Sequence, residues 1–208
     1  MNLSEAQKLI CERIVNVFET GSFCGDYGDI SIFNDGPNGI RQITYGRSQT
    51  TEYGNLRELV EMYAGAGGVY SDALRKYVPM IGKSALVNDA TLKTLLRRAG
   101  HEDPVMERTQ DAFFDRRYFQ PALAWASENG FTQALSALVI YDSFIHSGSI
   151  LSFLRSRFTE KTPAEGGDEK AWISAYVKAR HDWLATHSKV ILRATVYRTS
   201  THPTNYFS

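Results

Sequence analysis

The sequence predicts a mainly α-helical protein carrying one small β-sheet or hairpin. Apolar residues recur at three- and four-residue spacing along most of the chain, the signature of helices with one buried face. One stretch, residues 30–45, breaks that rhythm with two short β-like runs around Gly36-Pro37-Asn38-Gly39. There is no internal repeat and no low-complexity segment. With 208 residues, 43% of them hydrophobic, the chain can bury a core without disulfides or metal, and a single domain over residues 1–208 is expected.

The elements follow in order. Ser4 with Gln7 is a capping-box start, and Ala6, Ile10, Ile14 and Val17 recur at helical spacing until Thr20-Gly21 ends the first helix, which puts Glu19 in its last turn. Ile30–Asn34 and Ile40–Tyr45 are β-like, with Asp35 at the bend between them. Helical patterns resume with Leu56, Leu59, Val60 and Tyr63, then over Asp72–Val78, Ala90–Ala99, Val105–Phe119, Pro121–Glu128 and Thr132–His146. Asp168 is placed to cap a long helix reaching about His187, and a last helix or extended tail starts at Val190.

Bulk properties exclude several classes. Lys and Arg total 23, as do Asp and Glu, so net charge implies neither a nucleic-acid nor a membrane partner. Cys11 and Cys24 fit no metal or redox motif and are expected to be free thiols. His101, His146, His181, His187 and His202 lack ligand spacing, and Gly65, Gly67 and Gly68 lack the Lys-Ser/Thr of a phosphate loop, so neither metal nor cofactor is expected. The start, Met1–Glu5, has neither the basic region nor the apolar run of a signal peptide.

Two charges fall on buried faces. In the helix after Gly130, Leu135, Leu138 and Val139 mark a buried stripe that Asp142 continues; in the late helix, Trp172, Tyr176 and Trp183 mark one that Arg180 joins. An unpaired buried charge costs several kcal/mol, so Asp142 and Arg180 are expected to meet, with Arg193 as third member. Such a network either locks helices together or positions a reactive group from behind.

A carboxylate pair stands near the N-terminus. Glu19 ends a helix beside Phe18, where partial burial favours the neutral acid; Asp35 lies in a polar, Gly-rich bend that favours the carboxylate. Thr44 offers a hydroxyl for a water. Two carboxyl groups in unlike surroundings are the equipment of glycosidic-bond hydrolysis.

The order of helix-terminal Glu, hairpin Asp, then Thr before an aromatic and Gly is similar to phage-type lysozymes. A closer resemblance, to family 46 chitosanases, runs over most of the chain: Gly54–Val60, Asp115–Ala122, Tyr141-Asp142-Ser143 with His146, Thr162–Glu169 and Val177–Arg180 carry it. It implies a two-lobed lysozyme-like α+β fold, with a small β-containing lobe at about residues 20–55 and a helical major lobe. It also implies an inverting endo-hydrolase of β-1,4-linked glucosamine polymers, secreted and monomeric, with Glu19 as acid, Asp35 as base and Thr44 holding the water. Asp142, Arg180 and Arg193 take the place of the family's buried Asp/Arg network. Tyr27, Tyr45, Arg47 and Asn55 are the candidate sugar-binding residues.

The chain departs from the family pattern where Asn55 replaces an expected Asp, and in an Asp-to-Thr loop lengthened by Pro37-Asn38-Gly39. Between positions 19 and 61, Glu19, Asp26, Asp29, Asp35, Glu52, Glu58 and Glu61 outnumber Arg41, Arg47 and Arg57, which fits an acidic groove for a polycation. The alternatives are a lysozyme-like muramidase acting on peptidoglycan, favoured by Asn55, and a non-catalytic carbohydrate-binding relative.

Overall fold

The computed structural model describes residues 1–47 and 49–200. It is mostly helical with one three-stranded antiparallel sheet, as the residue pattern predicts. Contacts divide the chain into two compact units: Glu12–Arg116, and Met1–Cys11 with the chain from Arg117 onward. The β-containing segment expected at about residues 20–55 lies in the first.

Helix α1, Glu5–Thr20, starts on the predicted capping box: the Ser4 amide donates to Gln7 Oε1 at 2.9 Å and the Gln7 amide to Ser4 Oγ at 3.2 Å. Gly21, at φ +73°, ends it. Its buried residues are Cys11, Val15 and Asn16, one position on from the predicted stripe, and Ile10 is exposed. Ile10-Cys11 and Ile14-Val15 are adjacent apolar pairs, so periodicity alone cannot choose between the two stripes. Cys11 is buried, Cys24 is exposed, and the two are not joined in a disulfide.

In the Glu12–Arg116 unit the strands are β1 Ile30–Phe33, β2 Gln42–Tyr45 and β3 Thr50–Thr51, in that spatial order. Ser31 lies opposite Thr44, Phe33 opposite Gln42, and Thr44 opposite Thr51. Side chains alternate between the two faces of a strand, so Ser31, Phe33, Gln42, Thr44 and Thr51 share one face while Ile43 and Tyr45 point into the core. The unit continues with α2 Leu56–Ala66, α3 Ser71–Arg75, α4 Ala90–Glu102 and α5 Pro104–Phe114. Leu56, Leu59, Val60 and Tyr63 form the buried stripe of α2, and burying each such side chain contributes roughly 1.5–3 kcal/mol. Asp103 caps α5 through the Val105 amide and also accepts from Tyr63 Oη and the Val69 amide. Burial alone would raise the pKa of Asp103, but these donors outweigh it and hold the carboxyl below its usual range.

The predicted helix over Val105–Phe119 ends four residues after Gln110, and Asp115–Phe119 form a π-helical turn before α6, Gln120–Glu128. Pro121 explains the break. A proline lacks the amide donor and its ring crowds the carbonyl four residues earlier, which a wider turn accommodates.

In the other unit α7, Ala134–Ser147, is buried over Ser136, Ala137 and Val139–Phe144, while Leu135 and Leu138 are only half-buried. Helices α8 Ser152–Arg155, α9 Glu169–Ala185, α10 Val190–Arg193 and α11 Tyr197–Ser200 follow. Asp168 caps α9 by accepting from the Ala171 amide at 2.7 Å, as expected. Trp172 sits at the centre of an aromatic cluster with Trp125, Phe131, Phe158 and Tyr176. The inner face of α9 runs Trp172, Tyr176, Arg180, Leu184; Trp183, expected there, is half-buried beside Phe153 and His187. No helix among the described residues is long and apolar enough to cross a membrane.

Candidate active site

Glu19, Asp35 and Thr44 all belong to the Glu12–Arg116 unit. Glu19 is half-buried in the last turn of α1, one helical turn after Asn16 and so on the same side. Asn16 ties that end of the helix to the sheet: its Oδ1 accepts from Arg47 Nη1 at 3.0 Å, just past β2. A Cβ on Gly25 would stand 2.8 Å from Arg47 Cβ and 3.3 Å from Asn16 Cγ, so only glycine lets the α1–β1 connection pass this junction.

Asp35 is exposed in the hairpin loop, and its Oδ1 accepts from Gln42 Nε2 at 2.8 Å. The loop closes on itself: the Gly36 amide donates to Ile40 O at 3.0 Å, and Asn38 and Gly39 take the left-handed conformation at φ 56° and 76°. Thr44 is buried, and its hydroxyl donates to Ser31 O at 3.0 Å. That bond uses its one hydrogen, so towards a water Thr44 Oγ1 acts as an acceptor. Asp29, two residues before Ser31, accepts from Gln49 Nε2 at 2.6 Å.

The candidate sugar-binding residues divide. Tyr45 has no exposed surface and its hydroxyl donates to Leu96 O at 2.8 Å; it is a core residue, because the Ile43/Tyr45 face of β2 packs inward. Arg47 is 2% exposed. It forms a 3.0 Å ion pair with Asp111 and lies over the Phe114 ring, and its amide donates to Gln110 Oε1, so it fastens the sheet to α5 rather than meeting solvent. Tyr27 is half-buried and donates to Asp111 Oδ1 at 2.9 Å; burial first, and then the Asp111 charge, push its phenol pKa upward. Asn55 is half-buried just before α2.

The acid-rich segment is largely spent on internal partners. Glu52, 1% exposed, accepts from the Ile43 and Leu86 amides. Glu58 pairs with Arg116, Glu61 with Arg57, and Asp26 with His101. Arg116 and His101, the partners of Glu58 and Asp26, lie outside the stretch in which the charges were counted.

In the other unit Asp142 and Arg180 meet, at 2.6 Å. The third member is Arg198, whose Nη1 donates to Asp142 Oδ1 at 2.5 Å. Arg193, expected in that place, is exposed and donates to His187 O at 2.7 Å. The chain changes direction through α10 and a 3₁₀ turn at Ala194–Val196 before Arg198, so helical spacing from α9 does not carry across. Burial raises the pKa of Asp142, but the two guanidinium groups prevail and hold it below its ordinary value. His146 is pushed down to about 4, by burial first and then by the charges of Arg180 and Arg198. The His146, His181 and His187 rings each bond to a neighbour: Thr195, Thr199 and the Lys189 amide. His202 lies outside the described residues.

The profile of glycosyl hydrolase family 46 matches residues 13–207. A chitosanase from Bacillus subtilis (strain 168) is 29% identical over 98% of this chain and 80% of its own length. A chitosanase from Streptomyces sp. (strain N174) is 30% identical over 65% of this chain and 51% of its own. A mutant chitosanase from Bacillus subtilis MY002 complexed with 6 GlcN superposes with a TM-score of 0.83 at 25% identity, covering 95% of this chain and 87% of that one. The Gynuella sunshinyii chitosanase with chitotetraose shares the fold at a TM-score of 0.76, 23% identity and coverage of 95% and 85%. The chain therefore belongs to glycoside hydrolase family 46, and it is a glycoside hydrolase.

Proposed function

We propose that this enzyme cleaves internal β-1,4 bonds of chitosan, with Glu19 as acid and Asp35 as base, and with inversion at the anomeric carbon. The observation that carries the reading is local: the Asn16–Arg47 bond fixes the Glu19 end of α1 to the hairpin that bears Asp35 and Thr44. In the single displacement, Glu19 gives its proton to the glycosidic oxygen as that bond breaks. A water, one of its hydrogens accepted by Thr44 Oγ1, loses the other to Asp35 while its oxygen bonds to the anomeric carbon. Inversion calls for carboxyl groups roughly 6.5–9.5 Å apart, leaving room for that water. Chitosan is too large to cross a membrane intact, so the enzyme acts outside the cell, as a monomer on a polymer chain. Both the relatives and the bound glucosamine oligomer of the superposed chitosanase favour this substrate over peptidoglycan.

Glu19→Gln is the test. It removes the transferable proton at constant shape, and kcat on chitosan is expected to fall by about 10²–10⁴. Wild-type turnover by this variant, or faster cleavage of purified cell-wall sacculi than of chitosan by the native enzyme, would refute the reading. Anomeric NMR of the first products checks inversion.

A further inference from the structure

Gln42 is 4% exposed, and both ends of its amide are engaged. Oε1 accepts from the Tyr53 amide at 3.2 Å and Nε2 donates to Asp35 Oδ1 at 2.8 Å. The orientation is forced: a backbone amide can only donate, so it must face the carbonyl end, leaving the NH₂ end for Asp35. The same side chain packs under the loop. A Cβ on Gly36 would stand 3.5 Å from Gln42 Cδ, 3.3 Å from the Tyr53 ring and 2.7 Å from Ile40 O. An exposed carboxylate on a hairpin loop is thus held by a buried amide that is itself anchored to the backbone after β3.

From this we infer that Gln42 is a positioning residue for Asp35, and that it selects which carboxylate oxygen takes the proton. The hydrogen that the Gln42 amide gives to Oδ1 makes that oxygen the less basic of the two. Oδ2 is then the atom that receives the proton of the attacking water. The bond also fixes the Asp35 side-chain torsions, which places Oδ2 relative to the hairpin without any contact between Gln42 and the sugar. This inference rests on the proposed role of Asp35 and adds how that role is held in place.

The experiment uses the full-length enzyme on a glucosamine hexamer and compares Gln42→Met, Gln42→Glu and Asp35→Asn with the combination of Gln42→Met and Asp35→Asn. Gln42→Met is expected to lower kcat by about 10- to 100-fold with KM within about twofold, the size of effect a displaced catalytic group produces. Gln42→Glu keeps the acceptor for Tyr53 and removes the donor to Asp35, so it is expected to show the same loss even if Gln42→Met folds poorly. In the Asp35→Asn background, adding Gln42→Met is expected to change kcat by less than about twofold, because the amide acts through Asp35. Wild-type kcat in Gln42→Glu overturns the inference, and so does a loss that repeats in full in the Asp35→Asn background. Wild-type activity in Asp35→Asn itself refutes the base assignment instead, so the two failures are told apart.

Discussion

Asp142→Asn replaces the negative charge that pairs with both buried guanidiniums by a neutral amide of equal size. Asp142 is 3% exposed and accepts from Arg180 at 2.6 Å and Arg198 at 2.5 Å. Asn keeps one acceptor oxygen, but its NH₂ faces the other guanidinium donor to donor. Breaking a buried pair from one side costs on the order of 3–5 kcal/mol, in line with losing two charged hydrogen bonds at roughly 1.5–3 kcal/mol each. In a domain of this size each kcal/mol lowers Tm by about 2–4 °C, so the variant is expected to melt roughly 6–20 °C below wild type in calorimetry at pH 7. The cluster also sets an order among substitutions. Arg180→Met or Arg198→Met leaves one balanced pair and is expected to cost less than Asp142→Asn; Arg193→Met, at an exposed site, is expected to stay within about 0.5 kcal/mol. A Tm within about 3 °C of wild type for Asp142→Asn, or a larger loss at Arg193 than at Arg198, would refute the reasoning.

Two further outcomes follow from the same geometry. His146, at about 4 in the fold against about 6.5 unfolded, refuses a proton that the unfolded chain takes up. Its contribution is therefore complete above pH 6.5 and is lost as pH falls towards 4; between pH 7 and 4.5 the unfolding free energy from urea titration should fall more for wild type than for His146→Gln, by up to about 3 kcal/mol, and equal falls would contradict this. Arg47→Met takes the buried guanidinium away from Asn16 and Asp111 and is expected to cost about 1–3 kcal/mol of stability, while KM for chitosan oligomers stays within about threefold. A large KM change at full stability would return Arg47 to the sugar-binding set.

The helices were legible wherever one face is apolar and the caps are conventional: Ser4/Gln7, Asp168 and the Leu56–Tyr63 stripe needed only spacing and side-chain chemistry. So was the meeting of Asp142 with Arg180, because a charge at a core position demands a partner. What spacing could not supply was anything crossing a break in register. Arg198 replaced Arg193 because α10 and the turn after it reset the helical phase. Tyr45 and Arg47 read as binding residues because an aromatic and a cation near a candidate catalytic hairpin look available until the strand's face is known. Gln42 was passed over for the opposite reason. A glutamine within a short strand carries no signal by itself, and only its contacts with Tyr53 and Asp35 distinguish it.

The two faces of β2 carry different obligations, Ile43 and Tyr45 to the interior and Gln42 and Thr44 to the proposed active site. Sliding β2 against β1 by a single residue would exchange them at a stroke, sending isoleucine to the face now held by Gln42 and a hydroxyl into the oil. The phase of the hairpin is consequently fixed twice over, whereas the turn at Pro37–Gly39, which closes through its own backbone bonds, is free to grow or shrink. Variation in chain length within such hairpins should collect at the tip, outside the Phe33–Gln42 pair, and an insertion on the strand side of that pair should be silent in neither folding nor turnover.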